Sequence, residues 1–389
     1  MRHVLCNRRE SQSVLSSLLH EGWDVVVDFV AFEPADVAPV IAAGGRHVQR
    51  YIFISTDSVY MAVDPQHFQR QDGLLLEASD AGGEIVQERA CEDEYGADKM
   101  ATEAVLRAAG VPPLSSSTAD DGSSSSGINS SVSSLRVLAL RLPDVIGPHE
   151  NTGRLRSLLL RLLLGKRIGT GINGRTGLGE SLPLSLVAAG DVASAICASL
   201  VHWPSSSAPS ATSAASMTAN GGEKSDAASS RSSSQPESAF RALHICADER
   251  ITWTELVGYM AAALRAEGLE VASPRFEPTR DTGFVSVDVG ALSNGAAKAM
   301  LHVDGGDGAG GGNGGNGVVW TPAPLVDRVR EAVAWSVQSQ REEWERERRE
   351  HDEQRAAENL RETLKRRRLR REVQAGEQNE EWRLGTGDQ

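Results

Sequence analysis

The amino-acid sequence predicts a doubly wound α/β fold, in which helices cover both faces of a parallel sheet. Short β-rich apolar runs alternate along the chain with segments of helical apolar spacing, and such alternation is typical of this fold class. Hydrophobic residues make up 40% of the 389 residues, yet no stretch approaches the roughly 18 apolar residues that a membrane helix needs. Ligands of such sheets bind at the carboxyl ends of the strands, where we expect the functional residues.

The predicted elements follow from this alternation. Each predicted strand is a short apolar run, and each predicted helix carries apolar residues three or four positions apart. The predicted strands are 23–32, 51–54, 135–142, 182–187 and 242–246. The predicted helices are 34–43, 95–106, 155–164, 191–201, 253–265 and 324–335.

Charge and cysteine content exclude several classes of protein. Lys and Arg number 40 against 53 Asp and Glu, a net charge of −13, which argues against general nucleic-acid binding by the body. The four cysteines are widely spaced without a Cys-x-x-Cys pair, so neither a disulfide framework nor a zinc site is expected. The first ten residues lack the apolar core of a secretory signal. We expect a cytoplasmic protein and leave an organelle open.

Two groups of residues carry the candidate chemistry. The hydroxyls from Ser55 to Tyr60 directly follow a predicted strand, where they could bind a substrate oxygen or form a plain polar turn. Tyr95 and Lys99 are four residues apart, which places them on one helix face. A neighbouring ammonium would lower the pKa of Tyr95 from its usual value near 10. Tyr95 would then be an acid/base for a sugar hydroxyl or carbonyl.

Taken in order, these segments resemble the extended short-chain dehydrogenase/reductase family, in its NAD-dependent epimerase/dehydratase branch. The resemblance covers about residues 3 to 335 and is strongest at successive strand ends. The similar segments are WDVVVDFVAF (23–32), YIFISTDSVY (51–60), LRLPDVIGP (140–148), HICADERITWTEL (244–256) and WTPAPLVDRVREAVAW (320–335). Asp144 replaces the Asn that is usual in the third of these segments.

The resemblance implies an NAD- or NADP-dependent oxidoreductase or isomerase that acts on a nucleotide sugar or a related carbonyl compound. Its catalytic residues would be Thr56, Tyr95 and Lys99. Tyr95 would move the hydroxyl proton, Lys99 would hold the nicotinamide ribose, and Thr56 would orient the substrate oxygen. The implied cofactor contacts are Asn7, Arg8, Phe29, Val30, Ala31 and Pro143, together with Tyr95 and Lys99. No metal is implied.

The chain departs from the family at its beginning. Residues 3–9 resemble the third strand of the family, so we expect the first βαβ unit to be missing. That unit contains the Gly-x-x-Gly-x-x-Gly turn that holds the pyrophosphate at a helix N-terminus, so we expect this turn to be missing as well. A truncated or degenerate member would bind NAD or NADP weakly. Gly169, Gly171 and Gly174 form a Gly-x-Gly-x-x-Gly pattern, but it follows a helix rather than a strand and is not expected to bind phosphate.

The expected organisation has three parts interrupted by low-complexity tracts. Residues 115–134 hold eleven serines, residues 204–238 are mostly Ser, Ala and Thr, and residues 303–317 are mostly Gly. Such tracts bury too little apolar surface to offset chain entropy, so we expect disordered inserts. The parts are an incomplete Rossmann-type domain (1–150), a small substrate domain with late Rossmann strands (151–335) and a charged helical tail (336–389).

The residue after Asp57 bears on the type of reaction. Sugar-nucleotide dehydratases of this family carry Ser-Thr-Asp-Glu-Val-Tyr, whereas this chain has Ser58 in place of the Glu. A serine without an adjacent base does not readily abstract a carbon-bound proton. We therefore expect epimerase or reductase chemistry rather than dehydration, unless Glu77, Glu84 or Glu94 supplies the base.

Other interpretations stay open at this stage. The chain could be a non-catalytic relative that binds RNA or a protein, for which the basic run at 365–371 gives mild support, or it could form a homodimer. Arg154 and Arg156 could hold a nucleotide diphosphate or lie solvated on their helix. His149 and His244 are expected to be structural or exposed.

Overall fold

The computed structural model describes most of the chain outside the low-complexity tracts. It describes residues 3–8, 10, 12–43, 47–62, 70–71, 75–76, 93–110, 135–169, 183–201, 203, 239–277, 289, 291–301 and 320–385. The tracts predicted as disordered inserts, 115–134, 204–238 and 303–317, lie outside the described residues. Within the described part of the chain, none of the helices has the length and apolar character needed to cross a bilayer.

Eight helices and twelve strands are described, with one short 3₁₀ turn at Asp57–Tyr60. The helices are α1 (Gln12–Leu19), α2 (Pro34–Ala43), α3 (Glu94–Ala109), α4 (Arg154–Leu163), α5 (Ala189–Val201), α6 (Trp253–Ala266), α7 (Gly295–Leu301) and α8 (Leu325–Gly385). The strands are β1 (Trp23–Asp28), β2 (Val48–Thr56), β3 (Arg70–Gln71), β4 (Leu75–Leu76), β5 (Arg136–Leu142), β6 (Asp144–Ile146), β7 (Arg167–Gly169), β8 (Pro183–Leu184), β9 (Leu186–Ala188), β10 (Phe240–His244), β11 (Ile251–Thr252) and β12 (Arg275–Glu277).

The central sheet has four parallel strands in the order β1-β2-β5-β10. Side chains alternate between its faces, as the strand period of two requires. Tyr51 and Phe53 pack with α1, α2 and α3 on one face, whereas Ile52 packs with α5 and α7 on the other. Helices therefore cover both faces of a parallel sheet, and the predicted doubly wound α/β fold is confirmed.

A third apolar cluster lies beyond the sheet. It joins α4, α6 and the first turns of α8 around the fully buried Trp253, whose indole nitrogen donates to the backbone oxygen of Gly169 at 2.7 Å. Gly169 thus ends β7 and accepts a structural hydrogen bond. Gly171 and Gly174, the other members of the glycine pattern, lie outside the described residues.

The strand predicted for residues 23–32 ends at Asp28, because the Asp28 carboxylate turns the chain. One of its oxygens accepts the backbone N–H groups of Val30 and Ala31 at 3.0 and 2.9 Å, a local bond that competes with the strand ladder. The strand expected at residues 3–9 is wrong for the described residues 3–8, which have no strand structure. Val4 and Leu5 are exposed there, with no sheet to bury them.

The helix predicted for 324–335 and the predicted helical tail form one continuous element, α8, of 61 residues. Its first part is a core helix, with Leu325, Val333 and Trp344 buried. From residue 352 onward its described side chains are exposed. The domain boundaries themselves stay predictions.

Candidate active site

The site begins where β2 ends and α3 starts. Thr56 caps the 3₁₀ turn, because its side-chain oxygen accepts the backbone N–H of Ser58. Asp93 caps α3 in the same way by accepting the N–H of Gly96 at 3.1 Å, which is the usual role of a short acidic side chain at a helix start. These two caps fix the segments that present Thr56 and Tyr95.

A pocket of 640 Å³ opens at this point, at the carboxyl ends of β2 and β5. Its size is within the range of small-molecule sites. Its walls come from the ends of β1, β2 and β5, the start of α3, and the loop that leads into α4. The polar and charged lining residues include Ser55, Thr56, Asp57, Ser58, Asp93, Tyr95, Lys99, Asp144, His149, Glu150, Asn151, Thr152 and Arg154.

Tyr95 is held at the rim of the pocket with 44% of its surface exposed. Its ring lies 6.0 Å from that of Phe32, and Thr56 lines the same pocket. Partial burial raises the pKa of Tyr95, although the Thr56 side chain acts in the opposite direction. The prediction of a lowered Tyr95 pKa is therefore wrong for the structure, in which desolvation is the largest influence and raises it.

The Lys99 ammonium group does not bond to the Tyr95 hydroxyl in the structure but to backbone oxygens, which accords with the raised pKa of Tyr95. The Nζ atom donates to the backbone oxygens of Ala31 at 2.7 Å and Ile54 at 2.8 Å. It lies 5.8 Å from the centre of the Tyr95 ring. Burial lowers the pKa of Lys99 to about 8, since a charged amine is costly to desolvate.

The predicted site residues fall into two groups. Thr56, Tyr95, Lys99, Phe29 and Pro143 all line the pocket. Val30 and Ala31 directly follow Phe29 in the chain but do not line the pocket.

Val30 is 61% exposed beside the pocket, and Ala31 is fully buried and contributes its carbonyl to Lys99.

Arg8, which the resemblance implies as a cofactor contact together with Asn7, does not line the pocket. Its guanidinium forms a two-point ion pair with Asp28, and Asp28 also accepts the hydroxyl of Tyr51 at 2.6 Å. Burial alone would raise the pKa of Asp28, but these hydrogen bonds lower it. Asn7 does not line the pocket either.

The pocket fits the nicotinamide-ribose end of a dinucleotide. The exposed apolar side chains of Phe29 and Phe32 and the buried Pro143 line the same pocket as Tyr95 and the buried amine of Lys99. A flat ring such as nicotinamide can pack on these apolar side chains, and sugar hydroxyls can hydrogen bond with the Tyr95 hydroxyl and the Lys99 amine. No comparable cradle for the pyrophosphate is present among the described residues at the end of β1.

Several lining residues were missed by sequence reasoning. Asp93 places a carboxylate in the pocket wall, and the signal for it was its position as a helix cap just before Tyr95. Glu94, which was considered as a base, is exposed and does not line the pocket. Glu77 and Glu84 lie outside the described residues.

The two arginines considered for a diphosphate differ in position. Arg154 lines the pocket, where it donates to Asp144 at 2.7 Å. Arg156 points to α8 instead and pairs with Glu343 and Glu347 at 2.9 and 2.6 Å. Only Arg154 is therefore placed to meet an anionic ligand.

The two histidines also differ. His149 lines the pocket in a left-handed conformation (φ 64°), with its ring 4.8 Å from that of Trp335 in α8. His244 is fully buried and hydrogen bonded, as expected for a structural histidine. The core part of α8 thus supports one wall of the pocket through Trp335.

No family model matches the chain, and no curated protein sequence matches it. A solved structure does match: the dTDP-glucose 4,6-dehydratase of Bacillus anthracis in complex with NAD. It is 12% identical, the match covers 87% of this chain and 80% of that chain, and the TM-score is 0.50. This chain has the fold of that dehydratase. The fold implied by the resemblance to the extended short-chain dehydrogenase/reductases is confirmed.

Two further structures were found. The dTDP-glucose 4,6-dehydratase of Streptomyces venezuelae with NAD and TYD bound is 16% identical, over 86% of this chain and 79% of that chain, with a TM-score of 0.49. The UDP-glucuronic acid 4-epimerase of Bacillus cereus in complex with NAD is 14% identical, over 83% and 77%, with a TM-score of 0.47. A shared fold hosts many activities, so function has to be argued from the pocket.

Proposed function

We propose that this chain is an NAD- or NADP-dependent oxidoreductase or isomerase of the epimerase/dehydratase type, acting on a nucleotide sugar or a related carbonyl compound. The observation that carries the proposal is the convergence of Thr56, Tyr95 and Lys99 on one pocket at the strand ends. The NAD-bound dehydratase that shares the fold supports the choice of cofactor.

Tyr95 is the proton-transfer group in this proposal. Because its pKa is raised, it rests as a phenol, the form that can donate a proton to a substrate carbonyl. Thr56 holds the substrate oxygen beside it. Bound nicotinamide would supply or accept the hydride at the substrate carbon.

Lys99 lines the pocket and would bind the ribose of the cofactor in this proposal. Two of its three N–H donors are used by Ala31 and Ile54, so one remains for a ribose hydroxyl. Its lowered pKa makes its charge sensitive to weakly alkaline pH.

We propose epimerase or reductase chemistry rather than dehydration. Ser58 lines the pocket beside Asp57, at the position where a carboxylate base would be needed for elimination. Asp93 is a nearby carboxylate, but one of its oxygens caps Gly96.

The test is turnover of a panel of nucleotide sugars with NAD or NADP in both oxidised and reduced forms, the reduced form supplying the hydride for reduction, followed by mass spectrometry. Products isobaric with the substrate, or heavier by two hydrogens, are expected. A product lighter by one water would overturn the reaction type, and the same assay on Asp93→Asn would show whether Asp93 is the base. The absence of any turnover or cofactor binding across the panel would overturn the proposed function.

A further inference from the structure

Tyr95 and Lys99 share their helix face with a third residue, Glu103. The three are spaced four apart on α3, so they stack along one side of the helix. Glu103 is fully buried, one turn beyond Lys99. The helix face that carries Tyr95 therefore also carries a charged side chain that is buried in the protein interior.

This face is bonded to consecutive residues at the end of β2. Lys99 donates to the backbone oxygen of Ile54 at 2.8 Å, and the hydroxyl of Ser55 donates to Glu103 Oε1 at 2.7 Å. The next residue, Thr56, lines the same pocket as Tyr95, and its side chain lowers the pKa of Tyr95. Two successive strand residues thus hold two successive turns of α3, and Ser55 directly precedes Thr56, which lines the pocket with Tyr95.

Glu103 is itself fixed by Arg141 of β5. Arg141 donates from Nε to Oε1 at 3.0 Å and from an amino group to Oε2 at 2.6 Å, a two-point pairing with defined geometry. Both side chains are buried. Burial alone would raise the pKa of Glu103, but the ion pair and the bond from Ser55 lower it.

The fixation extends across the sheet. Ser55, Arg141 and His244 lie side by side in register on β2, β5 and β10. Arg141 also donates to the hydroxyl of Tyr60 at 2.9 Å, and Tyr60 contacts His244 Nε2. The other ring nitrogen of His244 lies 3.0 Å from the backbone oxygen of Ser293. With a neutral ring, one pattern satisfies these contacts: Tyr60 donates to Nε2, and Nδ1–H donates to Ser293.

A buried ion pair adds little net stability compared with well-packed apolar side chains. Its bonds are directional, however, and here they connect α3 to the strand ends that form the pocket. We propose that Glu103, held by Arg141, is a positioning residue for Tyr95: through Ser55 it sets where the Thr56 hydroxyl and the Tyr95 hydroxyl meet. This inference rests on the proposed role of Tyr95, but it can be tested without turnover.

The first test observes Tyr95 directly. The chain has four tyrosines, so the ring carbon that bears the hydroxyl can be labelled with ¹³C, and its NMR signals can be assigned by Tyr95→Phe. Ser55→Ala removes one bond to Glu103 and leaves the ion pair intact, whereas Glu103→Gln removes the charge. Both changes are expected to shift the Tyr95 signal and its titration midpoint.

The matched control is Leu106→Val, which loosens the same helix in the apolar core without touching this network. It should lower the melting temperature while leaving the Tyr95 signal and its titration in place. If Glu103→Gln does not fold, Ser55→Ala keeps the test decisive. An unchanged Tyr95 signal in folded Ser55→Ala would overturn the positioning role.

The second test uses the substrate identified by the panel assay. Ser55→Ala should lower kcat by about 10-fold to 100-fold with KM unchanged, as expected when reacting groups are displaced but substrate contacts remain. Leu106→Val should retain the wild-type kcat. Turnover that survives Tyr95→Phe would overturn the proton-transfer role of Tyr95, and absence of turnover across the whole panel would overturn the proposed function. Either result would leave the NMR result standing, so the failures are distinguishable.

Discussion

The backbone oxygen of Ser58 faces Gly96 so closely that a Cβ atom on residue 96 would come within 2.2 Å of it. This contact seats the first turn of α3 on the 3₁₀ turn, and Tyr95 precedes it by one residue. Any side chain at position 96 has to push the two segments apart, because the opposing atom is backbone.

Gly96→Ala should therefore damage both stability and activity. We expect a loss of about 1–3 kcal/mol in the free energy of unfolding, the usual scale for overpacking, together with reduced turnover. The matched control is Gly258→Ala in α6, where no atom lies within 4 Å of the new Cβ. That change should be neutral or stabilising by up to about 1 kcal/mol. Denaturant unfolding measures both, and equal effects would contradict the packing argument.

Tyr95→Phe should lower turnover by about 10² to 10⁴, the usual contribution of an acid/base group. The fold should persist, since the ring and its contact with Phe32 are kept. Tyr259→Phe, on the surface of α6, is the control and should leave turnover unaffected. Cofactor-coupled activity is the measurement, with far-ultraviolet circular dichroism to verify the fold. Full activity of Tyr95→Phe would move proton transfer to another group.

Lys99 predicts a pH dependence of stability with a definite sign. Its pKa in the folded protein, about 8, lies below its usual value of 10.5, so the unfolded chain binds more protons between these values. The contribution of Lys99 to the free energy of unfolding therefore rises as pH increases from about 8 to 10.5. The difference between wild type and Lys99→Met should shift in favour of wild type across that interval. Lys166→Met, at an exposed position, provides the baseline, and a flat difference for Lys99→Met would refute the assignment.

The two parts of α8 should differ in their effect on stability. Trp344 is buried in the core cluster, so Trp344→Ala should cost about 3–5 kcal/mol. Ending the chain after Asp352 should change the free energy of unfolding by less than about 0.5 kcal/mol, the scale of surface changes. Thermal unfolding of the two variants gives the comparison. A large loss on truncation would mean that the distal helix has a partner.

The local elements were predictable because their signals are local. The helix predicted at 34–43 has those bounds in the structure, since its apolar spacing stops at Gly44. Thr56, Tyr95 and Lys99 could be placed together because strand ends and helix starts meet at one edge of a parallel sheet.

Long-range pairings could not be read in the same way. Arg8 and Asp28 are 20 residues apart, and Arg156 and Glu347 are 191 apart, with no periodicity linking either pair. The direction in which the Tyr95 pKa shifts could not be predicted for a similar reason. It depends on how deeply the pocket buries the phenol. It also depends on the bonds of Lys99 to carbonyl oxygens of other segments.

The described side chains of α8 from residue 352 onward are exposed, and this affects how the protein melts. A helix without tertiary packing loses structure progressively on heating, whereas a packed core unfolds in one cooperative step. Far-ultraviolet circular dichroism should therefore show a gradual decline from the distal segment superimposed on a sharp transition from the body. The near-ultraviolet signal of Trp253 and Trp320, both buried, should show the sharp transition alone. The far-ultraviolet signal would thus report two unfolding processes in one polypeptide, and the near-ultraviolet signal only one.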